Sequence, residues 1–280
     1  MSGARGSSHQ GAPDSQAARA SHAASASRAR SLVRDWAPVG LGLVAFLVAW
    51  KAIVVAGGYA PFILPPPEQV AARFVRAWSE GTLAAHTAAT LLEIGLGFGA
   101  GAASGLLVGY LLARSRLAER VLSPYLVAAQ ATPVLALAPL VALWFGTGLF
   151  SKVVICGLIV FFPVAVATLV GIRSVDRRLL EMARAFRATR RQVFATLELP
   201  AALPAILGGL RVGATLAVIG AIVAEWAGGE RGLGVLINLA RGSLFDTPLL
   251  FATLLTIALI GIALYLVIVL IERRLVGARG

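Results

Sequence analysis

Six apolar runs, each about as long as a membrane-crossing helix, dominate this sequence of 280 residues. A helix rises about 1.5 Å per residue, so about 20 apolar residues cross about 30 Å of hydrocarbon. The chain is 58% hydrophobic and 14% charged, with a mean hydropathy of +0.84, which lies far outside the usual range for a soluble domain. The runs are residues 38–56, 88–113, 122–145, 150–172, 204–226 and 248–271. We therefore predict an all-α, polytopic membrane bundle of six transmembrane helices.

Basic residues are distributed unequally between the two ends of these runs. Of the 25 lysines and arginines, 18 lie in the N-terminal tail, after the second run, after the fourth run or after the sixth. Because positively charged loops stay on the cytoplasmic side, both termini are predicted to be cytoplasmic in a multi-pass protein of the plasma (inner) membrane. We interpret residues 1–37 as a disordered cytoplasmic tail before a six-span domain at 38–280. The Arg- and Ser-rich composition of the tail is also typical of a transit peptide.

The composition excludes several other classes of protein. The net charge of +12 does not indicate a nucleic-acid binder, because the arginines lie between apolar runs rather than on a soluble surface with stacking aromatics. We expect membrane lipid, and no nucleic acid, as a partner. Cys156 is the only cysteine, so neither a disulfide framework nor a cysteine metal site is predicted. His86 is the only histidine near a run, and no catalytic constellation can be assembled around it.

Glycines recur every four residues in the second run, at Gly97, Gly101, Gly105 and Gly109. This spacing places them on one ridge of a helix, where a second backbone can approach closely. The ridge predicts tight helix packing in a bundle and carries no information about chemistry.

Polar residues near the runs are candidates for a translocation pathway. Glu93 lies near the start of the second run and Glu225 lies at the outer end of the fifth. An ionisable group in hydrocarbon is costly unless it faces protein or water, so each glutamate either lines a polar pathway or pairs with another helix. Gln130 and Thr132, beside Pro133, could add polar groups and an irregular turn to the same pathway.

A charged segment, EMARAFRATRRQVFATLELP, separates the fourth and fifth runs. Asp176, just before this segment, is a good N-cap for a first short helix that runs to about Phe186. Thr189 and Gln192 form a capping-box pattern for a second helix, which we expect Pro200 to end. The loop at about residues 173–203 is therefore predicted to be a helix-turn-helix that lies across the cytoplasmic face.

The charged segment resembles the cytoplasmic signature of the permease subunits of ATP-binding-cassette (ABC) importers, in the branch for nitrate, sulfonates, taurine, thiamine precursors and riboflavin. That signature is Glu-Ala-Ala, three residues, Gly, and later an apolar-x-Leu-Pro sequence. The positions that match are Glu181, Ala183, Leu199 and Pro200, and the positions that depart are Met182, for the first Ala, and Arg187, for the Gly. The glycine permits a left-handed residue at the helix end, where an arginine costs on the order of 1 kcal/mol and leaves the turn geometry open.

The resemblance implies a transport subunit rather than an enzyme. It implies that the loop couples the permease to a separate ATPase subunit, present in two copies, which uses ATP and Mg, while this chain binds no cofactor or metal. It also implies an extracytoplasmic solute-binding protein. With one docking loop and no internal repeat, the chain is expected to form a homodimer. Its two lysines, Lys51 and Lys152, do not follow a phosphate-loop pattern, so the chain itself is not the ATPase.

The expected solute rests on overall similarity. The stretches APLVALWFGTGLFSK and VIGAIVAEW look more like permeases for hydroxymethylpyrimidine or riboflavin than like alkanesulfonate permeases. A thiamine precursor or riboflavin is therefore expected, with sulfonates, taurine or nitrate as the alternative. The remote alternatives are a secondary transporter, which usually shows inverted repeats, and a membrane-embedded enzyme.

Overall fold

The computed structural model describes residues 37–131 and 133–276, and all regular secondary structure in these residues is helical. The prediction of an all-α fold is confirmed for this part of the chain. Residues 1–36 of the predicted tail at 1–37 lie outside the described residues, and so does Thr132. The described residues form two units, which divide between Ala60 and Pro61.

The first unit contains helix α1, Ala37–Gly57. The second unit contains α2 (Pro67–Ser79), α3 (Thr82–Arg114), α4 (Arg116–Ala131), α5 (Val134–Phe145), α6 (Leu149–Arg173), α7 (Arg177–Ala185), α8 (Arg190–Val193), α9 (Leu199–Trp226), α10 (Leu233–Arg241) and α11 (Thr247–Val276). A π-helical turn, Phe194–Glu198, joins α8 to α9 without interruption.

Five helices in the described residues are long and apolar enough to cross a membrane: α1, α3, α6, the continuous helix Arg190–Trp226 and α11. They coincide with the first, second, fourth, fifth and sixth predicted runs. The third run, 122–145, is divided between α4 and α5. Pro133 is the N-cap of α5 and is extended, with φ −67° and ψ 107°. A proline lacks the N–H and clashes with the carbonyl of the preceding turn, so one unbroken helix is disfavoured there.

The glycine ridge of α3 packs against α6. A Cβ on Gly101 would lie 2.5 Å from the carbonyl oxygen of Gly157, and a Cβ on Gly109 would lie 2.4 Å from that of Ala165. By contrast, a Cβ on Gly99 would meet nothing within 4 Å. The two backbones are therefore in direct contact along the ridge, and the predicted packing role is confirmed.

Helix α9 packs against α6 in the same manner. A Cβ on Gly209 would lie 2.4 Å from the Cβ of Ala167, and a Cβ on Gly220 would lie 3.0 Å from the Cα of Cys156. Cys156 is fully buried in the apolar core that these helices share. Helices α3, α6 and α9 thus form the centre of the second unit.

An ion pair joins the short helix α2 to the start of α11. The Arg73 Nε donates to Asp246 Oδ2 at 2.7 Å, and its Nη1 donates to Glu80 Oε2 at 3.3 Å. Partial burial acts to lower the pKa of Arg73, but these ionic hydrogen bonds outweigh it and raise the pKa above its ordinary value. Asp246 also accepts the backbone N–H of Leu249 and so caps α11.

Candidate coupling loop and buried polar cluster

Helix α7 begins where the sequence predicts a cap. The side chain of Asp176 accepts the backbone N–H of Arg178 at 2.9 Å, which satisfies one of the free donors of the first turn. The side chains of Glu181 and Met182 are exposed on this helix, and Ala183 is half-buried. A capped helix therefore lies where the sequence places the first helix of the loop.

The turn after α7 keeps the backbone geometry that the family signature assigns to glycine. Arg187 has φ +55°. The N–H of Ala188 bonds to the carbonyl of Ala183 at 2.9 Å, and the N–H of Arg187 bonds to that of Arg184 at 2.9 Å. This pair of bonds is the Schellman arrangement, which usually holds a glycine in the left-handed position. An L-residue there costs about 1–2 kcal/mol, so the turn is retained under strain.

The second helix begins with the predicted capping box. The N–H of Gln192 donates to Thr189 Oγ1 at 3.3 Å, and the N–H of Thr189 donates to Gln192 Oε1 at 2.8 Å. These reciprocal bonds satisfy two backbone donors, so the start of α8 is set locally.

The expectation that Pro200 ends this helix is wrong. The helix continues from Arg190 to Trp226 through the π-helical turn, in which the N–H of Leu199 bonds to the carbonyl of Phe194. At this point the i→i−4 bonding is already replaced by a wider turn, so the missing N–H of Pro200 causes no further break. The second helix of the loop and the fifth predicted span are consequently one continuous element.

A basic groove lies between the loop and the ends of α3, α4 and α6. Its cavity volume is about 1690 Å³, and eight arginines and three glutamates line it. Two of the glutamates are ion-paired within the groove, Glu119 with Arg173 and Glu198 with Arg114. The third, Glu181, is one of the positions that match the family signature. The groove therefore carries a strong excess of positive charge.

Glu93 lies in a buried polar cluster near the opposite ends of α3, α6 and α9. Glu93 is 2% exposed, and its Oε1 accepts a hydrogen bond from Lys152 Nζ at 2.6 Å. The same ammonium group donates to the carbonyl of Arg231 at 3.2 Å. The sequence gives Lys152 no role at the site, although a lysine near the start of an apolar run is itself a signal, because it needs a partner at that depth.

Glu225 holds the start of α10 in the same cluster. Thr90 Oγ1 donates to Glu225 Oε1 at 2.6 Å, and the N–H of Gly234 donates to Oε2. Thr90 Oγ1 in turn accepts the N–H of Leu233 at 2.8 Å. A Cβ on Gly232, whose φ is +136°, would lie 2.1 Å from the Glu225 carboxyl carbon. The two side chains therefore satisfy the first donors of α10 and leave no space beside Gly232.

The remaining candidate residues are not brought into this cluster as ligands. The Nδ1 of His86 lies 2.8 Å from the carbonyl oxygen and 3.1 Å from the amide nitrogen of Gly232, so this histidine supports the loop before α10. Over the described ranges, no group of three or more His, Cys, Asp or Glu could hold a metal ion. Gln130 lies in α4, but its side chain and the whole of Thr132 fall outside the described residues.

Residues 105–277 match the family described as binding-protein-dependent transport system inner membrane component. The chain belongs to this family. It is 50% identical over 252 residues to the riboflavin transport system permease protein RibX of Chloroflexus aurantiacus, covering 89% of this chain and 94% of that one. It is 40% identical over 202 residues to the formylaminopyrimidine transport permease protein ThiX of Halalkalibacterium halodurans, covering 72% and 80%. It is 33% identical over 243 residues to the taurine transport system permease protein TauC of Escherichia coli, covering 85% and 88%.

Two solved structures share the fold of this permease. A chain of the MetNI methionine ABC transporter in inward-facing conformations superposes with a TM-score of 0.56 and 22% identity, over 68% of this chain and 92% of that one. A chain of an amino acid ABC transporter crystallised with histidines superposes with a TM-score of 0.57 and 21% identity, over 72% of this chain and 98% of that one. Their low sequence identity limits this comparison to the fold, which is that of an ABC transporter permease.

The family match establishes the general function. The protein is the permease subunit of an ABC importer and a multi-pass component of the inner membrane. Such subunits are not enzymes themselves, so the prediction of a transport subunit is confirmed, and the secondary-transporter and membrane-enzyme alternatives are set aside. A binding-protein-dependent system also includes an ATPase and a solute-binding protein, which are partners that the family resemblance implies.

Proposed function

We propose that this permease carries riboflavin or a thiamine precursor into the cell, as a homodimer that works with two copies of an ATPase subunit. The similarity to RibX, at 50% identity over nearly the whole of both chains, is the main support for the choice of solute. The lower identity to TauC makes taurine, with sulfonates or nitrate, the second candidate.

The permease crosses the membrane six times in this proposal. Helices α4 and α5 together form the third crossing, since 16 and 12 residues span enough length only when they are combined. Both termini then lie in the cytoplasm. The concentration of arginine on that side supports this orientation, and it places the α7–α8 loop where a cytoplasmic ATPase can bind it.

The single observation that carries the coupling proposal is the continuity of the loop with α9. One helix runs from Arg190 to Trp226, so a displacement of the loop is transmitted along a stiff element into the membrane. The proposed ATPase-coupling positions are Glu181, Met182, Ala183, Arg187, Leu199 and Pro200. The ATP and Mg belong to the ATPase partner, and this chain holds neither.

The contacts of Glu93 and Glu225 favour helix pairing over a lining role. Both residues are 2% exposed, and each is bonded to a side chain from another helix. We therefore propose that they fix the outer end of the bundle. Gln130 and Thr132 stay the proposed positions on the translocation pathway, because they are polar and precede Pro133 directly in an otherwise apolar run.

The solute can be tested with the permease reconstituted in liposomes together with its ATPase and solute-binding protein. We expect ATP-dependent uptake of labelled riboflavin or hydroxymethylpyrimidine and none of labelled taurine. Uptake of taurine alone would overturn the choice of solute and leave the transport function intact.

The docking role can be tested by the charge reversal Glu181→Lys. Because a charged contact at the centre of an interface contributes strongly, we expect co-purification of the ATPase to fall about tenfold or more. Glu230→Lys is the matched control, since Glu230 is also exposed but lies between α9 and α10, at the opposite end of the second unit. Full ATPase binding and hydrolysis by the Glu181→Lys variant would contradict the docking role.

A further inference from the structure

Two side-chain contacts tie the π-helical turn to the end of α3. The Nη1 of Arg114 donates to Glu198 Oε1 at 2.9 Å, and its Nη2 lies 2.8 Å from Oε2. The rings of Tyr110 and Phe194 meet edge to face, with their centroids 5.3 Å apart and an interplanar angle of 76°. Arg114 also donates to the Tyr110 hydroxyl at 2.8 Å. We call these four residues the α3 clamp.

The ion pair in the α3 clamp is fixed in geometry. The side chain of Glu198 is 7% exposed and that of Arg114 is 35% exposed. A carboxylate with so little access to water depends on its cationic partner, and one of its oxygens accepts a charge-assisted hydrogen bond from the guanidinium. Glu198 occupies the variable position of the apolar-x-Leu-Pro sequence, so the family signature does not specify it.

The α3 clamp lies where the loop becomes α9. The π-helical turn there replaces the usual α-helical bonding, and such turns are frequent at functional sites. A movement of the loop passes into α9 along the chain itself. Because Glu198 contacts Arg114, the turn that begins α9 is also joined directly to the end of α3.

The glycine ridge brings the backbones of α3 and α6 into direct contact near the end of α3 that carries the clamp. Carbonyl oxygens of α6 lie only 2.5 Å and 2.4 Å from where a Cβ on Gly101 or Gly109 would be, and close-packed interfaces of this kind transmit strain. A displacement that enters the end of α3 is therefore shared by α6.

We propose that Glu198 and Arg114 are positioning residues that carry movement of the coupling loop into α3, so that α3 and α6 shift together with α9. This inference rests on the proposed docking of the ATPase at the loop. Without the ion pair, the loop and α9 still respond to the ATPase, but the end of α3 follows less.

Distances measured between spin labels separate these movements. One label is placed on α7 (Arg178→Cys) and, in a second sample, on the exposed surface of α3 (Leu111→Cys), in the permease–ATPase complex in nanodiscs. Distances between the two copies are recorded without nucleotide and with ATP and vanadate. Cys156, the native cysteine, is fully buried, and the chain without an added cysteine gives the labelling background.

We expect both distances to change with nucleotide in the parent chain. In the Glu198→Gln variant, the α7 distance is expected to change as before, whereas the change at α3 is at least halved. The charge exchange Arg114→Glu with Glu198→Arg is expected to restore the α3 change. In liposomes, Glu198→Gln is expected to raise the ATP consumed per solute imported at least twofold, and the exchange to reverse this.

An unchanged α3 response in Glu198→Gln would overturn the inference, and so would failure of the charge exchange to restore it. Glu198→Asp, which keeps the charge but shortens the reach, provides the same test if Glu198→Gln does not fold, with the α3 response again expected to fall. No nucleotide-dependent movement at α7 in the parent chain, or no ATPase binding, would instead overturn the proposed docking.

Discussion

The two ends of the α3, α6 and α9 core use charged groups in opposite ways. At the loop end, the arginines are exposed and surround a cavity of about 1690 Å³. At the other end, Glu93, Lys152 and Glu225 are 2–7% exposed, and each is hydrogen-bonded within the protein. Exposed ion pairs contribute little to stability, about 0–1 kcal/mol, whereas a buried charge that loses its partner is strongly destabilising.

This difference indicates a division of roles along the core helices. The exposed arginines of the loop cost little to rearrange, so they are suited to binding a partner that moves. The buried polar cluster is costly to open, because each buried group would lose its hydrogen-bond partner. Substitutions at the two ends should therefore separate stability from coupling.

The largest effect is expected for Lys152→Met, which leaves Glu93 buried without its cation. A broken buried pair costs about 3–5 kcal/mol, so the free energy of unfolding in detergent should fall by about that amount. Removing both charges, with Lys152→Met and Glu93→Gln, should recover most of the loss. Arg120→Met removes an exposed charge from the groove and is the control, with a change of about 0.5 kcal/mol or less.

The same variant also tests the separation of the two ends. The amount of ATPase that co-purifies with the Lys152→Met variant should equal the amount that co-purifies with the parent chain. This is measured at a temperature where the variant is folded. A stability loss below about 1 kcal/mol would show that the cluster does not fix the outer end. A loss of ATPase binding by the folded variant would show that the two ends are not independent.

A smaller effect is expected for Gly232→Ala, which adds a methyl group inside the cluster. The new Cβ would meet the Glu225 carboxyl at 2.1 Å, in a backbone conformation with φ +136°. Crowding and backbone strain together should lower the free energy of unfolding by about 2–4 kcal/mol. Gly81→Ala is the matched control, because Gly81 has φ +78° but open space around it, so the control should lose only about 1 kcal/mol.

Thermal unfolding of the two glycine variants gives this comparison directly. Equal losses would show that backbone conformation alone matters and that the Glu225 side chain yields without cost. A larger loss for Gly232→Ala, with faster hydrogen exchange confined to α10, would show that the Glu225 carboxylate is held rigidly at the start of that helix.

The sequence predicted the parts of the molecule that depend on local chemistry. Five of the six apolar runs, the Asp176 cap and the capping box of Thr189 and Gln192 are set within a few residues, and each is found where expected. The third run is divided between α4 and α5. The prediction that Pro200 ends the second helix of the loop was wrong, because hydrophobic periodicity does not distinguish a helix end from a π-helical turn.

The polar cluster was predictable only in part, because it depends on tertiary contacts. Glu93 and Glu225 could be identified as costly groups that need partners, but Lys152 lies 59 residues after Glu93 in the sequence. The α3 clamp also depends on a tertiary contact, since Arg114 and Glu198 are 84 residues apart in the sequence. A single sequence does not indicate which of its distant positions are in contact.

The smallest effect is expected at the loop end, for Arg187→Gly, and its sign is opposite to the others. Glycine adopts φ near +55° without the steric penalty of a Cβ, so the end of α7 should be stabilised by about 1 kcal/mol. Exchange of the Ala188 amide, which bonds across this turn, should slow about fivefold. Arg187→Ala removes the guanidinium but keeps the Cβ, so it should give no such protection. If both variants slow exchange equally, repulsion among the neighbouring arginines, rather than backbone strain, limits the stability of the turn.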